Sequence, residues 1–192
     1  MNTSARRLYL SAAVKLLFLI ALVALAAVLL ASLGSGDGQR EQQAAADPWR
    51  LEVDWSQIPA GELRQLQWPD GREIWVYRRP PGEIQRLEQR PATQLRDPDS
   101  HDSRQPRDIS TAWRSHHPQI FVFHPYETRR GCRVRLAADK PEFVDACHGA
   151  RFDSAGRLLE GSGVAEQQNL SVPDYELIGA QRLRLEPPGN GT

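Results

Sequence analysis

Residues Leu16 to Leu33 read LLFLIALVALAAVLLASL, eighteen residues in which only Ser32 is polar. As a helix rising ~1.5 Å per residue the run extends ~27 Å, close to the ~30 Å hydrocarbon core of a bilayer. It is read as a single membrane anchor. Lys15 stands at its edge, where a long side chain reaches the headgroups. Arg6, Arg7 and Lys15 precede the run, while Asp37 and Glu41 follow it. The positive-inside rule then puts the N-terminus in the cytoplasm and residues 34–192 outside, the periplasmic side of a bacterial inner membrane. The run is longer than the 7–15 residues of a cleavable signal, and Ala31-Ser32-Leu33 is a poor cleavage site. Ala5-Arg6-Arg7-Leu8-Tyr9-Leu10 also approximates a twin-arginine export signal, a reading that stands beside simple topological anchoring.

Beyond the anchor, residues 34–47 (GSGDGQREQQAAAD) are Gly-rich and polar without an apolar period, as a flexible linker is. A globular domain follows over 48–188. Hydrophobic residues are 40% of the whole chain and charged residues 25%, enough apolar content for a packed core. The 24 Lys and Arg balance 24 Asp and Glu, which argues against a nucleic-acid binder. A strand is expected from Leu51 to Asp54, and a hairpin from Glu62–Trp68 and Glu73–Arg78 around Pro69-Asp70-Gly71. A short helix is expected over Glu83 to Arg90. Further strands are expected at Gln119–His124, Arg133–Leu136, Leu170–Val172, Tyr175–Ile178 and Arg182–Leu185. The polar stretch between Gln89 and His117 is long for a loop inside a compact domain, as functional or family-specific segments are. The expected class is all-β, an antiparallel sandwich with a smaller subdomain over 125–165, carried on one N-terminal helix.

Five segments, in order, carry a family resemblance. They are Val53-Asp54-Trp55-Ser56-Gln57-Ile58 with Gly61; Trp68 to Arg79 (WPDGREIWVYRR); Leu95-Arg96-Asp97-Pro98 with Arg104; Cys147 to Asp153 (CHGARFD) with Gly156 and Arg157; and Val172-Pro173-Asp174-Tyr175. Together they resemble the Rieske iron–sulfur subunit of ubiquinol–cytochrome c reductase across roughly residues 51–185. The resemblance implies a β-sandwich head with a cluster-binding subdomain, held outside the membrane by one helix.

It also implies a site, and here this chain departs from the pattern. A Rieske centre binds one iron by two Cys thiolates and the other by two His imidazoles. The family's loops read Cys-x-His-x-Gly-Cys and Cys-x-Cys-His-Gly, the last Cys of the first loop and the second Cys of the second forming a disulfide. Against that pattern the four ligand positions hold Glu127, Arg129, Asp145 and His148, so His148 alone is retained. Arg has no lone pair to donate, and carboxylates lack the softness that favours iron–sulfur chemistry. The two cysteines of the chain, Cys132 and Cys147, match the disulfide pair and leave no spare thiol. Ala150 and Phe152 stand where relatives often place hydroxyls near the cluster sulfurs, so those hydrogen bonds are absent as well. Gly161-Ser162-Gly163 stands where the family carries a proline-containing loop, and is expected to be less rigid.

The resemblance and the departures together lead to the expectation of no cluster and no other metal. In its place would be a Cys132–Cys147 staple worth ~3 kcal/mol over its ~15-residue loop, and an ion cluster of Glu127, Arg129 and Asp145, with solvation of those charges as the alternative. No catalytic arrangement of side chains is found, and His116, His117 and His124 lack metal-ligand spacing. The expected role is a non-redox structural or assembly subunit, with membrane lipid around 16–33 and a respiratory-chain complex as partners. The alternative is an electron-transfer subunit whose [2Fe–2S] centre has altered ligands. A disulfide redox sensor ranks last, for want of a Cys-x-x-Cys spacing.

Overall fold

The computed structural model describes residues 14–27 and 48–186. The chain divides into two compact units, Met1–Ala46 and Asp47–Thr192. In the first, residues 14–27 are helical and their apolar side chains are exposed. The rest of the expected anchor, 28–33, and the linker at 34–47 lie outside the described residues. No helix among the described residues is long and apolar enough to cross a membrane.

Among the described residues, the second unit has nine antiparallel strands in three three-stranded sheets. The first sheet has the order β1 (Leu51–Asp54), β9 (Arg182–Leu185), β8 (Tyr175–Leu177). The second has the order β2 (Leu63–Gln67), β3 (Glu73–Arg78), β4 (Ile120–Phe123). The third runs β5 (Val134–Leu136), β6 (Phe143–Asp145), β7 (Arg151–Phe152).

The sequence pattern explains which faces these sheets bury. In β9 Leu183 and Leu185 point inward while Arg182 and Arg184 point out, where both guanidinium groups pair with Glu52 of β1. That sheet is therefore covered on one face. The runs of β3 and β4, EIWVYR and IFVF, carry β-branched and aromatic residues without alternation, and Ile74 to Tyr77 and Ile120 to Phe123 are all buried. β3 and β4 are covered on both faces, as such unbroken apolar runs require, whereas β2 at the sheet edge is largely exposed. The β2–β3 turn closes through Gly71, whose φ of +87° suits glycine and whose amide donates to the Trp68 carbonyl at 2.9 Å.

Phe121 and Phe123 stack at 4.6 Å, and Phe143 of β6 lies 4.6 Å from Phe123. Through Phe143 the small third sheet is keyed into the main core. Arg79, just past β3, is buried and organises the chain before β4. It donates to the carbonyls of Trp113, Pro118, Ile120 and Ser154 and to the Ser115 hydroxyl. Burial lowers its pKa to about 9, opposed by Asp153 and other nearby acidic groups.

Two expectations need correction. Leu170–Val172 joins no strand ladder: its backbone is spent on single bonds, Leu170 N to the Gly156 carbonyl and Val172 N to the Arg104 carbonyl. Its apolar side chains simply fill the core. Conversely, β6 and β7, of three and two residues, are too short to show a period. The helix expected from Glu83 is α1 (Glu83–Gln89), entered through Gly82 at φ +82°.

Candidate functional site

The third sheet is a stem from which two loops rise, and both are built on one plan. Each begins with an acidic residue and has a left-handed glycine four residues on: Glu127 with Gly131 (φ +71°), and Asp145 with Gly149 (φ +67°). The glycine amide donates back to the carbonyl of the acidic residue, at 3.2 Å and 3.0 Å. The carboxylates then turn inward and cap their own loops. Glu127 accepts from the amides of Arg129 (2.8 Å), Arg130 (2.5 Å) and Cys132 (3.3 Å). Asp145 accepts from the amides of Cys147 (2.8 Å) and His148 (3.2 Å), and its Oδ2 lies 3.2 Å from His148 Nδ1. These are local side-chain-to-backbone hydrogen bonds, of the kind Asp favours in turns and Glu127 makes here with its longer arm.

Two connections join the loops. The Cys132–Cys147 disulfide is present, with Cα atoms 6.3 Å apart. Gln167, arriving from a third segment, donates through the same Nε2 to Glu127 Oε2 at 3.0 Å and Asp145 Oδ2 at 3.3 Å. Its Oε1 accepts from the Val164 amide at 2.9 Å, which fixes the direction of the amide group. Glu127, Asp145 and Gln167 are at most 2% exposed. Burial by itself would raise the Glu127 pKa, but the Gln167 amide and the three backbone amides outweigh it and hold the carboxyl below its ordinary value.

The expected ion cluster is not formed as expected. Glu127 and Asp145 do converge, but the Arg129 guanidinium turns away to the Ala165 carbonyl (2.9 Å) and the Glu166 carboxylate. A neutral amide, not a cation, lies between the acids. The physical reason is cost: a buried guanidinium must be desolvated and supplied with five acceptors, whereas one NH2 satisfies two carboxylates already stabilised by backbone amides. Gln167 was invisible in the sequence. It sits in the polar run Ala165 to Asn169, with no spacing that distinguishes it from Gln168.

The third segment carries Gly161-Ser162-Gly163. Without proline it is held by Arg96, which donates to the carbonyls of Ser162 (2.8 Å) and Val164 (2.5 Å). His116, His117 and His124 lie apart from the site. His124 meets the Glu73 carbonyl and the Trp68 ring, and His116 packs on Tyr175. Among the described residues, the donor groups close enough to share a metal are Glu127, Cys132 and His148, and Cys132, Asp145 and Cys147. Both cysteines in those groups belong to the disulfide. No thiolate remains, and the carboxylate oxygens already accept N–H donors. This donor set does not fit a Rieske-type [2Fe–2S] cluster.

No family model matches the chain. It is 29% identical over 133 residues to the mitochondrial cytochrome b-c1 complex subunit Rieske of Schizosaccharomyces pombe, covering 69% of this chain and 52% of that one. It is 28% identical over 136 residues to the ubiquinol-cytochrome c reductase iron-sulfur subunit of Bradyrhizobium diazoefficiens, covering 70% of each. Its homologues are Rieske iron–sulfur subunits. The matched segment spans about half the length of the mitochondrial Rieske relatives. A chain of a hyperthermophilic respiratory Complex III is also similar, at 19% identity and a TM-score of 0.43, covering 89% of this chain and 98% of that one. Glu127 and Asp145, which the sequence resemblance sets at the two thiolate positions as an expectation, are buried caps of their own loops in this structure.

Proposed function

We propose that this protein is a cluster-free Rieske-type head that serves a respiratory-chain membrane complex as a structural or assembly subunit, without carrying electrons itself. The observation that carries this reading is the state of the two thiolate positions. Each holds a buried carboxylate whose acceptor capacity is spent on backbone amides and on the shared Gln167 amide. The loops are joined by the disulfide and by hydrogen bonds through Gln167. The partner complex is inferred from the relatives, which are named as cytochrome b-c1 and ubiquinol–cytochrome c reductase subunits; a terminal oxidase is the other candidate. The head stands on the periplasmic side of a bacterial inner membrane, anchored by residues 16–33 with the N-terminus inside. It has no catalytic residue of its own.

Iron and acid-labile sulfide analysis of protein purified without oxygen, with EPR of the dithionite-reduced sample, tests the central point. Background iron and no Rieske signal are expected. Stoichiometric iron and sulfide with such a signal overturn the reading in favour of electron transfer through altered ligands. Solubilisation in mild detergent tests the role: the protein should co-purify with respiratory-complex subunits, and recovery alone counts against it.

A further inference from the structure

Away from the tip, the long polar stretch folds over a cavity of about 650 Å³, bounded by Arg90 at the end of α1, residues 92–112 and Arg157. That volume lies within the ~300–1,000 Å³ of ordinary small-molecule sites. Its apolar wall includes Leu95 and Ile109, both at most 5% exposed. The polar wall includes the guanidinium groups of Arg90, Arg107 and Arg157 beside hydroxyl and amide side chains. Arg157, 3% exposed, gives Nε to Asp153 at 2.9 Å and Nη2 to the Leu87 carbonyl at 2.9 Å. Its Nη1 has no partner among the described residues. Arg90 leans on the same Asp153 oxygen at 3.5 Å and makes no side-chain hydrogen bond there.

Three buried side-chain polar atoms among the described residues lack a hydrogen-bond partner, and two belong to this region: Arg90 Nε and Arg114 Nη2. Arg114 stands behind the wall, its Nε donating to Gln105 Oε1 at 2.8 Å. Acidic charge does not balance these cations. Asp153 is shared by Arg90 and Arg157, and Asp97 is occupied by the amides of His101 and Asp102 and the Ser103 hydroxyl. Asp99 is at the rim with its side chain 77% exposed, where water screens it. A buried donor left unsatisfied is costly, and Arg90, on the cavity lining, has only the long contact to Asp153.

We propose that this cavity binds an organic phosphate, its dianionic group held by Arg90 and Arg157 and its apolar body lying against Leu95 and Ile109. Arg90 and Arg157 line the same cavity, and guanidinium groups suit the several acceptor oxygens and double charge of a phosphate monoester. The apolar wall selects an ester over the inorganic ion.

The test is calorimetric titration of the full-length chain in a non-ionic detergent with phenyl phosphate and inorganic phosphate, against sodium chloride of equal ionic strength. Phenyl phosphate should bind, and more tightly than inorganic phosphate. Arg90→Gln removes no hydrogen bond and leaves Asp153 its bond to Arg157, so the variant should fold, with binding weakened at least about tenfold. Heat no greater than that of chloride, or undiminished affinity in the folded Arg90→Gln variant, overturns the proposal. Competition by dihexanoyl phosphatidic acid assigns the natural ligand to a lipid headgroup; phenyl phosphate binding without such competition assigns it to a soluble ester.

Discussion

Glu127 is a buried carboxylate whose stabilisation comes from four N–H donors. Its pKa is lowered, so the folded state releases the proton at lower pH than the unfolded chain does. The stabilisation is fully present above the ordinary carboxylate pKa of about 4.5 and is lost as pH falls through the lower folded value. Glu127→Gln should therefore cost ~1–3 kcal/mol at pH 7, since an amide NH2 or a weaker acceptor now faces backbone donors. The gap between variant and parent should narrow below pH 5. Urea midpoints from pH 7 to 3 would show this, and a gap constant with pH would remove the carboxylate from the account. The position of Glu127 was readable in the sequence because a motif frames it. Gln167 was not, because a lone amide in a polar loop has no spacing to betray it.

At the level of elements, the tip depends on three loops meeting. Gly163 has φ +68°, and a Cβ there would come within 2.1 Å of Gln167 Oε1 and 2.8 Å of Ala150 Cβ. Gly163→Ala should displace Gln167 and unlock both carboxylates. Amide hydrogen exchange should then quicken in 127–132 and 145–149 while β3 and β4 stay protected; unchanged exchange in those loops would show that the amide bridge is dispensable. The disulfide acts on the same pair of loops. Reduction, or Cys132→Ser with Cys147→Ser, should lower stability by ~3 kcal/mol on the chain-entropy estimate for a loop of this length. The denaturation midpoint read with and without a phosphine reductant checks that figure. The runs EIWVYR and IFVF were legible as strands because β-branched and aromatic residues fill them. The strands β6 and β7 were not, since they owe their pairing to neighbours already in place.

On the scale of the whole molecule, the second unit carries its own core, in which Trp55, Tyr77, Phe121, Phe123, Phe143 and Phe152 are all buried. It is expected to fold without the apolar run. Residues 47–192 expressed behind a cleavable export signal should appear in the soluble periplasmic fraction with the circular dichroism of a β protein, while the full chain stays with the membrane. Aggregation of the truncated head would show that the first unit contributes to folding.

What the sequence determined alone was an inventory. It supplied an eighteen-residue apolar run, most of the longer strands, and a donor set with two cysteines. Such facts are set by composition and by periodicity along the chain, and tertiary packing does not alter them. The tertiary structure decided how the donors are used. It turned Arg129 outward to Glu166, brought Gln167 between two acids, and gathered Arg90 and Arg157 around one carboxylate at a cavity wall. Those outcomes depend on which polar groups remain unsatisfied once distant segments have packed together, a condition that no local pattern of residues encodes.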